Sequence, residues 1–221
     1  MKAKRQSPAR PRRPDARKET ADLGEWAIVA LGSNLGDSRQ NVLRAMACLR
    51  QFSRHPLRKS SLWQTEPVDC PPGSPAFVNA VVAFAPRRGA TPEALLTRLR
   101  ALERAFGRRP KKVMNEPRPL DLDLIAFGRE IRASQRLTLP HPRAHLRRFV
   151  LQPLSEIAPD LVLPGQAKPV WQLLTELPLD AAPGPEALPV RITQPGGRRA
   201  PAAFATCARR AGRTPKSAIR R

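Results

Sequence analysis

Residues 26–31 of EWAIVALGSN are apolar without interruption and the run breaks at Gly32, the pattern of a buried strand that ends in a turn. The period then changes. In GDSRQNVLRAMACLRQF, Val42, Met46 and Leu49 recur at i, i+4 and i+7, with Asp37 or Ser38 placed to cap, so an amphipathic helix is expected. RKSSLWQTEPV predicts a second strand that ends before Pro67, and DCPPGSPA a loop. FVNAVVAFAP is apolar on both faces and suits a central strand. TPEALLTRLRALERAFG carries a full set of helix signals: Thr91 as cap, Pro92 in the first position, a stripe of Leu95, Leu99, Leu102 and Phe106, and Gly107 as stop. LDLDLIAFG reads as another strand and REIRASQRLTLP as a hairpin, while PVWQLLTEL predicts a short last helix before Pro178.

The order strand, helix, strand, strand, helix, strand is a split βαβ arrangement. It predicts an α+β fold with one antiparallel sheet and both helices on one face.

At 221 residues the chain has room for one domain of ordinary size, and a hydrophobic content of 41% is enough for its core. Charge alters the picture more. There are 40 Lys and Arg against 18 Asp and Glu, a formal +22, of which residues 1–25 carry +4 and residues 181–221 carry +8. More than half of the excess therefore lies in segments poor in large apolar residues. These are expected to be disordered basic tails flanking a single domain over 26–180. Cys48, Cys70 and Cys207 are widely spaced and lack a pairing pattern, which suits a reducing, cytoplasmic setting. The basic N-terminus has no apolar stretch of signal-peptide type, and no run approaches the ~18 apolar residues of a membrane span.

Candidate chemistry starts at Asp121 and Asp123, two carboxylates inside an apolar strand pattern. Residues i and i+2 of a strand share a face, roughly 6.5–7 Å apart at Cα, so both point one way. A solvated acidic edge is the common meaning of an isolated Asp-x-Asp. Here Arg118 lies three residues upstream and GRRPKK (107–112) follows a helix end, so cations suited to phosphate oxygens cluster around the acids. Two buried like charges raise one pKa unless a cation lies between them, and an all-oxygen donor pair suits Mg²⁺ completed by substrate phosphates. Asn79 interrupts an apolar strand with Phe77 on the same face; it either offers its amide edge to a flat heterocycle or is satisfied by the backbone of a neighbouring loop. His141 stands among arginines and either contacts phosphate or caps a turn. GSNLGD (32–37) lacks the Gly-Lys-Ser/Thr end of a nucleotide-binding loop and reads as a structural turn.

Taken together and in this order, ALGSNLGD, FVNAVVAF, LERAFGR, PRPLDLDLIAFG and LPHPRAHLRRFVLQPLSEIAPDL resemble the 6-hydroxymethyl-7,8-dihydropterin pyrophosphokinases of folate biosynthesis, over roughly residues 26–175. The resemblance implies a ferredoxin-like sandwich with a βαββαβ core, and transfer of pyrophosphate from ATP to the hydroxymethyl group of a reduced pterin with release of AMP. It implies that Asp121 and Asp123 hold two Mg²⁺ ions, that Arg118, His141 and Arg147 contact ATP, and that Arg108 is an arginine of a mobile catalytic loop. Glu103, Arg136 and Thr138 fall where the family lines its nucleotide site. Thr65, Phe77, Asn79 and Phe149 fall in its pterin pocket, the two phenylalanines sandwiching the ring.

Three departures stand out. Pro110 occupies the place of a second loop arginine that some members carry, with Arg109, Lys111 and Lys112 nearby; Asn115 replaces the Trp of WGPR; and Pro142 replaces an aromatic after the histidine. The remaining expectations are a cytoplasmic monomer without membrane association, whose basic tails associate weakly with nucleic acid. A nucleic-acid-binding protein is the rival reading, motivated by charge alone.

Overall fold

In the computed structural model, which describes residues 25–67, 69–110, 113–177 and 190–192, the first apolar run is strand β1 (Ala27–Ser33), buried along its whole length. It passes the expected break because Gly32 and Ser33 are still paired: Gly32 stands opposite Asn79 on one side and Asp121 on the other. Helix α1 (Ser38–Leu49) starts where the Asp37 carboxylate accepts the Gln40 N–H at 2.9 Å, which settles the choice of cap. The expected second strand divides into β2 (Arg58–Lys59) and β3 (Leu62–Thr65), both paired with the central strand β4 (Phe77–Phe84). An extra residue between them makes a bulge, held by the Ser60 N–H donating to Val81 C=O at 3.0 Å and the Val81 N–H donating to Ser60 Oγ at 2.9 Å.

Helix α2 (Pro92–Ala105) has Thr91 as its cap, accepting the Ala94 N–H at 3.2 Å, and Pro92 in its first turn. Strand β5 (Asp121–Phe127) follows, then the hairpin of β6 (Arg132–Ala133) and β7 (Thr138–Leu139), helix α3 (Arg148–Ile157), helix α4 (Val170–Glu176) and strand β8 (Val190–Ile192). The main sheet runs β5-β1-β4-β3-β8, with β2 also on β4, and every described ladder is antiparallel.

Strand alternation divides the core in two. Val29, Leu31, Val82 and Leu122 point to one face, where Val42, Met46 and Leu49 of α1 and Leu95, Leu99 and Leu102 of α2 close over them. Ile28, Ala30, Val81 and Ile125 point to the other, against Val150, Leu151 and Leu154 of α3 and Val170 of α4. The expectation of both helices on one face holds for α1 and α2, but the molecule has a third layer. Helix α3 escapes the periodicity because Pro153 sits inside it, a residue that otherwise marks a helix end. Pairing extends beyond 180 as well: within 181–221, Val190–Ile192 forms β8, with Ile192 opposite Leu62 and Arg191 Nε donating to Ser61 Oγ at 2.7 Å. The rest of that segment, and residues 1–24, lie outside the described residues. Among the described residues no helix is long and apolar enough to cross a membrane.

Candidate active site

The last residues of β1 and β3 and the first residues of β4 and β5 meet at one end of the sheet, on the face covered by α3. A cavity of about 330 Å³ opens there, within the range of small-molecule pockets. Its floor is a row across the sheet: Asn79, Gly32 and Asp121 are neighbours in register. Glycine leaves room for the amide in the middle. A Cβ at Gly32 would meet Asn79 Oδ1 at 3.0 Å and Phe77 Cδ1 at 3.6 Å, so any side chain would press on the amide beside it.

On the β3–β4 side, Thr65, Phe77 and Asn79 are buried on the cavity wall. Asn79 Nδ2 donates to Thr65 Oγ1 at 2.6 Å, and its Oδ1 has no partner among the described residues. The amide is therefore held by a side chain rather than by loop backbone, with its acceptor left for a ligand. Phe149, at the start of α3, joins Phe77 on the wall. The Arg118 guanidinium lies 5.5 Å from the Phe77 centroid and that of Arg147 5.3 Å from the Phe149 centroid.

The β5 side is ionic. Asp121 Oδ1 takes Arg108 Nη1 at 2.5 Å, and its Oδ2 takes Arg118 Nη2 at 2.9 Å. Among the described residues Asp123 has only a loose partner, Arg147 Nη1 at 3.8 Å. Burial pushes the Asp123 carboxyl up from the usual range and the charge of Asp121 adds to this, against the pull of His141, Arg147 and Arg118. His141 is pushed down, by burial first and then by Arg147 and Arg143, with Asp123 opposing. Its backbone N–H donates to Ile125 C=O at 2.8 Å and its Nδ1 accepts the Arg143 N–H at 3.3 Å, which leaves Nε2 to carry the proton of the neutral ring.

The expected site residues separate into two groups. Thr65, Phe77, Asn79, Arg118, Asp121, Asp123, Arg147 and Phe149 line the cavity; Glu103, Arg108, Arg136, Thr138 and His141 do not. Glu103 is 7% exposed, at the end of α2 beneath β5, where it accepts the Leu122 N–H at 2.8 Å and an Arg108 Nη1 hydrogen bond. Burial pushes its carboxyl up to about 7 despite those donors. Arg108 links it to Asp121, which lines the cavity. Thr138 is on the β6–β7 hairpin and Arg136 in the turn between those strands, both exposed.

Several residues of the site went unread. Asn34, 2% exposed, ties three segments: Nδ2 donates to Pro75 C=O at 3.2 Å, while Oδ1 accepts the Arg118 N–H at 2.8 Å. Its place in GSNLGD was the only signal. Asn115 and Asp69 are the non-glycine residues with positive φ among the described residues, both at 55°, and Asn115 Nδ2 donates to Asp69 C=O at 2.6 Å. This bond links the loop before β4 to the loop before β5 at the cavity wall. Arg143 and Arg148 also line the cavity.

Residues 28–159 match the family model described as 7,8-dihydro-6-hydroxymethylpterin-pyrophosphokinase. The 2-amino-4-hydroxy-6-hydroxymethyldihydropteridine pyrophosphokinase of Synechocystis is 38% identical over 164 residues, 72% of this chain and 82% of that protein. That of Pseudomonas aeruginosa is 39% identical over 166 residues, 73% of this chain and 95% of its own. Among solved structures, wild-type Plasmodium falciparum HPPK-DHPS with pteroate aligns with a TM-score of 0.52 at 12% identity, over 69% of this chain and 42% of that one, a likeness of fold. The segments that build the acidic row and the aromatic wall lie inside the matched region, and the chain belongs to the 7,8-dihydro-6-hydroxymethylpterin-pyrophosphokinase family.

Proposed function

We propose that the cavity at the end of the sheet is where this chain transfers the pyrophosphoryl group of ATP to the hydroxymethyl group of 6-hydroxymethyl-7,8-dihydropterin, giving the pterin diphosphate and AMP in folate biosynthesis. The observation that carries this is the Asn79–Gly32–Asp121 row, which sets an amide and aromatic slot directly beside a carboxylate pair. Phe77 and Phe149 would sandwich the pterin ring, and Asn79 Oδ1 and Thr65 Oγ1 would read its polar edge.

The carboxylates fit Mg²⁺. They are all-oxygen donors on one strand face, and the described residues contain no cluster of three or more His, Cys, Asp or Glu that would complete a site by protein alone. That is the donor pattern of a cation finished by water and phosphate oxygens. Asp121 and Asp123 would hold two such ions, which when bound supply charge neutralisation at the phosphates and increased acidity at the attacking hydroxyl.

The chain's own residues do the rest. Arg118 and Arg147 are placed to move from Asp121 and Asp123 to phosphate oxygens, and Arg108 to leave Glu103 and Asp121 for the charge that develops on transfer. His141 would donate from Nε2, and Glu103, Arg136 and Thr138 would border the nucleotide. None of these groups stands as a general base for the hydroxyl. Alignment must supply most of the acceleration, and effective molarity is worth about 7–11 kcal/mol when reacting groups are held in line.

The strand order β5-β1-β4-β3, with α1 and α2 on one face, supports a ferredoxin-like βαββαβ core. We read residues 26–180 as the catalytic domain of a cytoplasmic monomer, with Val190–Ile192 adding an edge strand to its sheet and the remaining basic segments flanking it. Nothing among the described residues favours the nucleic-acid reading, whose basic segments lie mostly outside them. The decisive assay measures AMP: release should require both Mg²⁺ and 6-hydroxymethyl-7,8-dihydropterin, and AMP formed equally without the pterin would refute this reading.

A further inference from the structure

The arginines around the cavity differ in what already holds them. Arg118 is paired with Asp121 and Arg147 with Asp123, each lying over a phenylalanine. Arg148 donates to Leu177 C=O at 2.9 Å and to Leu174 C=O at 3.5 Å, closing the C-terminal end of α4. Arg108 is shared by Glu103 and Asp121. Arg143 lies on the same wall, is exposed, and its guanidinium has neither a hydrogen bond nor an ion pair with any described residue.

Its backbone is nonetheless pinned. The Arg143 N–H donates to His141 Nδ1 at 3.3 Å, and its C=O accepts the Leu146 N–H at 3.2 Å. A cation with no partner among the described residues thus stands on a fixed turn near His141 and Arg147, on the wall of the cavity that Asp123 also lines. Its proximity is visible in its neighbours: Arg147 is pushed down by burial first and by the Arg143 charge next.

A guanidinium already neutralised by a carboxylate must surrender that pair to bind phosphate, whereas an exposed, unpaired one surrenders only water. We propose that Arg143 is a further substrate-binding residue, the receptor for the phosphates of ATP that are transferred. The inference rests on the functional reading above and extends it to a residue whose charge offsets the repulsion between the acidic row and the incoming polyphosphate.

Calorimetry on the full chain with Mg²⁺, using a non-hydrolysable ATP analogue and AMP as probes, separates the transferred phosphates from the nucleoside end. Arg143→Ala should weaken the analogue about tenfold, the size of one charge-assisted hydrogen bond, and leave AMP within about twofold. The retained AMP affinity certifies the fold. Arg129→Ala, which removes the same charge from an exposed position at the opposite end of β5, should change neither probe. Unchanged analogue binding in Arg143→Ala, an equal loss for AMP, or an equal loss in Arg129→Ala would each overturn the proposal while sparing the functional reading. A wild-type chain that fails to bind the analogue with Mg²⁺ would instead overturn that reading, and this proposal with it, before any variant is made.

Discussion

The two ends of the cavity are prepared for ligand in opposite ways. At the ring end, Thr65, Phe77 and Asn79 sit within paired strands at 3%, 9% and 6% exposure, and a 2.6 Å hydrogen bond orients the amide. At the phosphate end, Asp121 and Asp123 begin β5, and the basic side chains facing them come from the segments on either side of it, Arg108 and Arg118 before and His141 and Arg147 after. A neutral amide can wait for a ligand because its open acceptor faces a cavity where water can satisfy it. Two carboxylates on one strand face cannot, because burial and the charge of Asp121 both push the Asp123 carboxyl up, so the fold sets arginines against them. Under the proposed function, binding at the ring end would add contacts to a finished surface, whereas binding at the phosphate end would exchange one set of ion pairs for another.

That contrast can be broken deliberately. The largest effect is expected from Arg108→Lys, which keeps a charge beside Glu103 but loses the planar fork: kcat should fall on the order of a hundredfold with pterin affinity nearly unchanged. A parallel loss of pterin binding would mean that the two ends are not separable. Next is Asn79→Ala, which removes the amide; equilibrium binding of the pterin should weaken about 10- to 100-fold while an ATP analogue is held as before. Gly32→Ala tests the same amide indirectly, since the added Cβ comes within 3.0 Å of Asn79 Oδ1, and a loss of about tenfold in pterin affinity is expected. Should nucleotide binding suffer more than pterin binding, the row across the sheet has been misread. Smallest is Thr91→Ala, remote from both ends. It should cost about 1 kcal/mol in chemical denaturation through the lost α2 cap and leave steady-state kinetics alone.

Sequence alone carried the ring end and the acidic pair further than it carried their surroundings. Apolar runs located β1 and β4, which are buried on both faces, the apolar pattern around Asp121 and Asp123 located β5, and period-3.6 spacing located α1 and α2, because apolar spacing records burial directly. The i, i+2 spacing of Asp121 and Asp123 likewise states a shared strand face. Register is a different matter. That Gly32 lies between Asn79 and Asp121 depends on how three distant segments align, and no local pattern encodes it. Pro153 concealed α3 and with it the layer that supplies Phe149. The resemblance puts Glu103 at the nucleotide site, but no local pattern shows that its carboxylate lies under β5, bonded to Leu122 N–H and linked through Arg108 to Asp121. Among clustered arginines the sequence offers no means of separating those held by ion pairs from Arg143, since the distinction lies in partners that only the fold assembles.

The central claim is that the Asp121 and Asp123 pair is stable in this fold because cations and phosphate share it. Isothermal titration of an ATP analogue in the presence and absence of Mg²⁺, on the wild type and on the double substitution of both residues to Asn, tests it most directly. The account predicts tight, Mg²⁺-dependent uptake in the wild type, lost by the double variant while its thermal unfolding remains cooperative. Equal Mg²⁺-dependent affinity in both proteins would contradict it.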